Sequence, residues 1–273
     1  GVPINKDKAK TFFRMAIDKG NTDSMCNYGL MLLNGDGVEV NKEKALKLFQ
    51  KASDEGNPDA MYNYARVLYQ GDDVNKKLAS HYFKLSAEKG NPDAMYKYSK
   101  MLRQGESFTV NLVESCHFCK LAADRGNVDA MNNYGLMLDK GEGTPVDKKQ
   151  AARYYKMAAD RGNVSAMNNY GLMLYKGDGI PFDKEEACRY YKMAADKGNA
   201  NAMNNYGFML QKGDGIQINK EKACYYYKMG AEKGNANAMY NYAYMVDNGL
   251  GTKINKDEAM KYYKKAATKG NKN

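Results

Sequence analysis

The dipeptide Gly-Asn returns through this chain at a nearly constant interval, and that interval limits the fold more than any other feature. It begins at Gly20, Gly56, Gly90, Gly126, Gly162, Gly198, Gly234 and Gly270, with spacings of 36, 34, 36, 36, 36, 36 and 36 residues. A fixed period of this length marks stacked supersecondary units, none of which can bury its apolar face alone. The expected organisation is one solenoid domain over 1–273: a half repeat (1–19), full repeats at 20–55, 56–89, 90–125, 126–161, 162–197, 198–233 and 234–269, and a stub (270–273).

Each repeat carries two helical patterns. In the fifth repeat, Ala166, Met167, Tyr170, Met173 and Leu174 recur at the spacing of one helix face, predicting a helix from about Val164 to Lys176. Ala187, Tyr190, Tyr191, Ala194 and Ala195 do the same for a helix from about Lys184 to Asp196. Asp183 with Glu186, Asp147 with Gln150, Asn111 with Glu114 and Asn255 with Glu258 read as capping boxes. Asn57-Pro58 and Asn91-Pro92 place a cap and an N1 proline at the start of first helices. Gly177-Asp178-Gly179 supplies the conformational freedom of a tight turn. The seven methionines Met25, Met61, Met95, Met131, Met167, Met203 and Met239 form a stripe expected in the core. Tyr28, Tyr64, Tyr98, Tyr134, Tyr170, Tyr206 and Tyr242 form another. Small residues at Gly29, Ala65, Ser99, Gly135, Gly171, Gly207 and Ala243 imply close helix approach. The fold class is therefore all-α, an α/α solenoid of helix-turn-helix repeats.

The repeat in its fourth copy resembles the Sel-like repeats, relatives of the tetratricopeptide repeats. Ala130, Tyr134, Gly135, Gly141, Gly143, Asp147, Ala151, Tyr154, Tyr155, Ala158, Ala159 and Gly162 carry the resemblance, which recurs over essentially the whole chain. Tyr134 and Leu138 exchange the residue types usual in the family, and the paired cysteines of some members are absent. The resemblance implies a right-handed superhelix acting as an adaptor for protein complexes; some relatives join such repeats to a kinase domain. It also implies a concave groove lined by first helices, on the side of Ser165, Asn168, Leu172 and Tyr175.

Three features fall on that side. Asn27, Asn63, Asn133, Asn169, Asn205 and Asn241 form a ladder broken by Lys97, with Asn132, Asn168 and Asn204 beside it. Asparagine pairs a donor with an acceptor and suits a peptide backbone; the alternative is polar surface or bonds within the repeat. Leu30, Leu136, Leu172, Phe208 and Tyr244 form an apolar row, serving either a partner or the neighbouring first helix. The row turns basic at Arg66 and Lys100. Lys97, Lys100 and Arg103 share a helix face there, with Tyr62, Tyr69 and Tyr96 nearby. Such a patch suits an acidic peptide, a terminal carboxylate or a phosphate. The second repeat is two residues short before Asn75, next to this patch, which predicts altered stacking there.

The remaining features bound the function. Net charge is +10, from 42 Lys+Arg against 32 Asp+Glu, so a basic solenoid binding nucleic acid is one rival reading. Near-identical groove residues in successive repeats leave little sequence to be read, which disfavours it. A structural spacer or autoregulatory arm is the other rival. Enzyme chemistry is not expected. His81 and His117 are the only histidines, and Cys116-His117-Phe118-Cys119 is half a zinc site on one helix. Neither a metal nor any other cofactor is expected. Five unpaired cysteines (Cys26, Cys116, Cys119, Cys188, Cys224) point to a reducing, cytoplasmic setting, and no membrane association is expected. Phe12, Phe13, Met15 and Ile17 lack a first helix of their own, predicting upstream repeats or end-to-end self-association.

Overall fold

A computed structural model describes residues 6–106 and 109–270; the stub after Gly270 and residues 1–5 of the half repeat lie outside the described residues. Within them every regular element is an α-helix, fifteen in all. The first helices of the repeats are α2 (Thr22–Asn34), α4 (Pro58–Leu68), α6 (Pro92–Gln104), α8 (Val128–Lys140), α10 (Val164–Lys176), α12 (Ala200–Lys212) and α14 (Ala236–Asn248). The second helices are α1 (Lys6–Asp18), α3 (Lys42–Asp54), α5 (Asp73–Glu88), α7 (Leu112–Asp124), α9 (Lys148–Asp160), α11 (Lys184–Asp196), α13 (Lys220–Glu232) and α15 (Lys256–Thr268). The fold is an all-α solenoid of helix pairs, and α10 and α11 have the bounds the periodicity predicts. The helices group into two compact units, Gly1–Ala130 with Glu142–Thr144, and Met131–Gly141 with Pro145–Asn273.

The Gly-Asn dipeptide does three jobs. Its glycine leaves the second helix in the left-handed region, as Gly162 does at φ +92°. Its asparagine then caps the next first helix: Asn163 Oδ1 accepts from the Ala166 N–H at 2.8 Å. The same side chain also reaches back one repeat, where Asn57 Nδ2 donates to Asp23 at 2.7 Å and Asn91 Nδ2 to Asp59 at 2.6 Å. In the second unit Asn235 Nδ2 donates to Asn201 at 2.6 Å. Of the expected capping boxes the N-cap half forms, Asp183 accepting from the Glu186 N–H at 2.8 Å, but the reciprocal half does not: the Asp183 N–H donates to the Leu174 carbonyl at 2.9 Å.

Every methionine and tyrosine of the two stripes is buried. From Tyr64 onward the stripe tyrosines meet second-helix rings edge to face, with centroids 4.7 Å apart for Tyr134–Tyr154 and Tyr206–Tyr226 and 4.8 Å for Tyr170–Tyr190. The small first-helix residues admit a ring. A Cβ at Gly135, Gly171 or Gly207 would lie within 2.9–3.0 Å of Tyr155, Tyr191 or Tyr227.

The short second repeat is accommodated at its helix ends. α4 stops at Leu68 without a left-handed glycine, and Asp72 caps α5 through the Asn75 N–H at 2.9 Å. On α1, Phe13 and Ile17 pack on the first core while Phe12 and Met15 stay exposed.

Candidate functional site

In the second unit, Tyr155 and Tyr191 floor a pair of clefts between consecutive first helices. One, of about 220 Å³, is walled by Leu136 and Leu172, with Asn169, Met173 and Lys176 around it. The next, of about 110 Å³, is walled by Leu172 and Phe208, with Tyr175, Lys176, Asn205 and Met209. The structure therefore brings Leu136, Asn169 and Leu172 together, and Leu172, Asn205 and Phe208 together. Leu172 serves both clefts and is 37% exposed. Of the apolar row, Leu136, Leu172 and Phe208 are walls of these clefts, Leu30 packs on the first core, and Tyr244 is exposed.

A charged clamp closes one edge of the first cleft. Lys148 Nζ binds Asp139 and reaches Asp178 in the next turn at 3.1 Å. These two hydrogen bonds raise the Lys148 pKa. One repeat on, Lys184 Nζ binds Asp214 at 2.9 Å and the Tyr175 hydroxyl donates to the same carboxylate at 3.1 Å. The lysine holds Asp214 below the usual carboxylate range. Sequence reasoning missed this clamp. Its signal was present: a lysine opening a second helix, and an aspartate 30 residues later, at Lys148/Asp178 and Lys184/Asp214.

The asparagine ladder requires correction in detail. Asn169 Nδ2 donates to Asn132 Oδ1 at 3.1 Å, Asn205 Nδ2 to Asn168 Oδ1 at 3.1 Å, and Asn241 Nδ2 to Asn204 Oδ1 at 2.8 Å. The two asparagine columns thus couple neighbouring repeats, and some members also bond within their own repeat, as Asn204 Nδ2 does to Asn205 Oδ1 at 3.5 Å. Asn168, expected on the open side, is buried. Each donating amide retains a second N–H, while the Asn205 carbonyl oxygen also accepts from Asn204 Nδ2 at 3.5 Å. Asn133 is half-buried at the start of this series. Asn63 is buried, donates to the Asp59 carbonyl at 2.9 Å and to Cys26 Sγ at 3.3 Å, and accepts from Arg66 at 3.2 Å. It does not offer the open amide expected of it.

The basic patch lies in the first unit, and its cations sit over rings. The Lys97 ammonium is 3.7 Å from the Tyr69 ring centroid; Arg66 is 5.6 Å from Tyr62 and Lys100 is 5.8 Å from Tyr96. Lys97 is half-buried. Burial lowers its pKa, Glu106 opposes that shift, and Lys100 adds to it. The Tyr69 hydroxyl donates to Glu106, a bond that with burial pushes the phenol up to about 12. Arg103, expected on one helix face with Lys97 and Lys100, is bound to Glu142 at 2.6 Å. Among the described residues, Arg66 and Lys100 are exposed and have no carboxylate within ion-pair distance.

The other chemistry-bearing residues are dispersed. Cys116 and Cys119 are buried while His117 between them is exposed, so the three do not share a face. His81 is exposed as well. No group of three or more potential metal ligands occurs among the described residues. Burial pushes the Cys119 thiol up to about 12. Alkylation of the folded chain at pH 8 followed by mass spectrometry is therefore expected to leave Cys119 unmodified until denaturant is added; full native-state labelling would contradict its seat in the core. The Gly-Asp-Gly turns are turns, with Gly177 at φ +69° and Gly179 at φ +78°. No described helix is long and apolar enough to cross a membrane.

A family model described as Sel1 repeat matches residues 1–21, 22–57, 58–91, 92–127, 128–163, 164–199, 200–235 and 236–271. Among solved structures, a protective antigen present in uropathogenic Escherichia coli, displaying an SLR fold, is similar over 98% of this chain at 24% identity and a TM-score of 0.84. This chain spans 57% of that protein. A Sel1 repeat protein from Oxalobacter formigenes is similar over 97% of this chain and 78% of its own, at 22% identity and a TM-score of 0.70. At such identities the likeness concerns the fold. No curated protein matches the chain significantly.

Proposed function

The chain belongs to the Sel1 repeat family, and from that premise we propose that it is a protein-interaction scaffold holding an extended segment of a partner protein along its first helices. Proteins built from Sel1 and tetratricopeptide-like repeats generally act as protein-interaction scaffolds. The observation that carries the finer reading is the pair of consecutive clefts sharing the Leu172 wall. Packed helices stand about 8–10 Å apart, and a polyproline II segment advances about 9 Å every three residues. Apolar side chains at every third position of such a segment would enter successive clefts. Asn169 and Asn205 would serve its backbone with their remaining amide groups. Lys176, exposed at the rim of both clefts, favours acidic residues between the anchors. The five buried, free thiols support a reducing, cytoplasmic setting.

The test is selection from a displayed random peptide library on the 273-residue chain. Binders are expected to carry apolar residues three apart with acidic neighbours. Leu172→Asp, which puts a charge between two apolar walls, is expected to weaken them at least about tenfold, the equivalent of about 1.4 kcal/mol. Its melting curve serves as the control. Selected peptides indifferent to Leu172→Asp would refute this placement, and salt-sensitive RNA binding in place of peptide binding would favour the nucleic-acid reading.

A further inference from the structure

The first unit carries a different surface, and its residues are not those of the clefts. We propose that Arg66, Lys97 and Lys100 form a receptor for the phosphoryl group of a phosphorylated peptide. In the other full repeats the position of Arg66 and Lys100 is apolar, at Leu30, Leu136, Leu172, Phe208 and Tyr244. The position of Lys97 is asparagine in every other full repeat. Three cations thus replace neutral residues at adjoining places on two consecutive first helices, α4 and α6. Lys97 and Lys100 stand one helical turn apart, on one side of α6.

The cations are held rather than dangling. Each lies over a tyrosine ring, and Lys97 lies closest, at 3.7 Å. Arg66 is also tied to Asn63. Fixing long side chains in advance reduces the entropy lost when a ligand binds. The nearby acids do not satisfy the cluster. Glu142 is bound to Arg103, Glu106 accepts from Tyr69, and Asp93 accepts from Asn127 Nδ2 at 2.7 Å.

The number of cations separates phosphate from carboxylate. A carboxylate brings one charge and is matched by one cation. A phosphoryl group brings about −1.5 to −2 at neutral pH, more than one cation can match, and three acceptor oxygens, one for each of the three cations. A peptide fits better than free phosphate because Tyr62 and Tyr96, both half-buried, leave ring surface beside the cations for flanking side chains.

The experiment titrates the 273-residue chain with oriented peptide libraries centred on phosphoserine, phosphothreonine or phosphotyrosine. Matched libraries carry the unphosphorylated residue or Glu at the centre, and a single-stranded RNA oligomer is the further arm. At least one phosphorylated library is expected to bind at least about tenfold more tightly than its unphosphorylated and Glu counterparts, and inorganic phosphate is expected to compete. Arg66→Ala with Lys100→Ala is expected to remove at least about tenfold of that affinity, the equivalent of one charge-assisted hydrogen bond. Both side chains are exposed, so the melting temperature should hold, and Lys97→Gln supplies an independent loss. Equal binding of phosphorylated and Glu libraries overturns the proposal. So does absence of binding by any phosphorylated library, indifference to the double variant, or an RNA affinity that alone depends on it. Leu172→Asp separates this surface from the clefts, because the two rest on different residues.

Discussion

Tyr227→Ala is expected to destabilise the second unit by about 3–5 kcal/mol, the range for deleting a large ring from a closed core. Tyr227 is fully buried, its ring lies where a Cβ on Gly207 would collide at 2.9 Å, and its hydroxyl donates to Gln211 at 2.8 Å. The cavity would open between α12 and α13, with no larger residue at Gly207 to fill it. Tyr227→Phe keeps the ring and removes only the hydrogen bond, so its cost should be about 1 kcal/mol. Urea denaturation followed by circular dichroism gives both numbers. In a repeat array the loss is local, so amide exchange in α12 and α13 should accelerate before that elsewhere in the unit. Equal losses for Ala and Phe would mean that the hydroxyl, and not the ring, holds these helices together.

Gly215→Ala is the second large effect, and it acts on the backbone. Gly215 sits at φ +66°, where any other L-residue is strained by about 1–2 kcal/mol. Its missing side chain would also lie 2.4 Å from the carbonyl carbon and oxygen of Lys184, the residue that opens α11. No flexible side chain can yield there, so the turn itself must shift. A loss of at least about 3 kcal/mol is expected from the two terms together. Gly162 is the internal control: its φ is +92°, but nothing lies within 4 Å of the place a Cβ would take there. Gly162→Ala should therefore cost only the conformational part, about 1–2 kcal/mol. Denaturation midpoints of the two variants, taken side by side, isolate the cost of close approach; equal values would contradict it.

Most of what makes a single repeat was legible in the residues. The cap at Asp183, the stripe containing Met167 and Tyr170, and the small Gly171 are governed by contacts within one helix pair, and periodicity reports those directly. What periodicity does not report is the depth at which the next repeat covers a residue. Asn168 and Asn169 are neighbours on α10, yet the first is buried beneath the Asn205 amide and the second is half-buried. Helical angles give their directions but not the position of α12. The basic patch shows the same gap. The pairing of Arg103 with Glu142 joins residues 39 apart in the chain, and Lys97 finds its ring at Tyr69, 28 residues earlier. The lysine clamp was missed because it, too, joins a second helix to the turn of the following repeat.

The amide bonds between asparagine columns have a consequence for how a chain of this kind changes over time. Asn169 donates to Asn132 as Asn205 donates to Asn168 and Asn241 to Asn204. Donor and acceptor are the same residue type at the same place in each copy, and Lys184 meets Asp214 as Lys148 meets Asp178. The seam between two copies is thus interchangeable with the next. A gene segment encoding one period can be duplicated or lost in this region with every joint still finding its complement. The number of clefts can then be inherited as a variable trait, lengthened or shortened by recombination without the invention of a new interface.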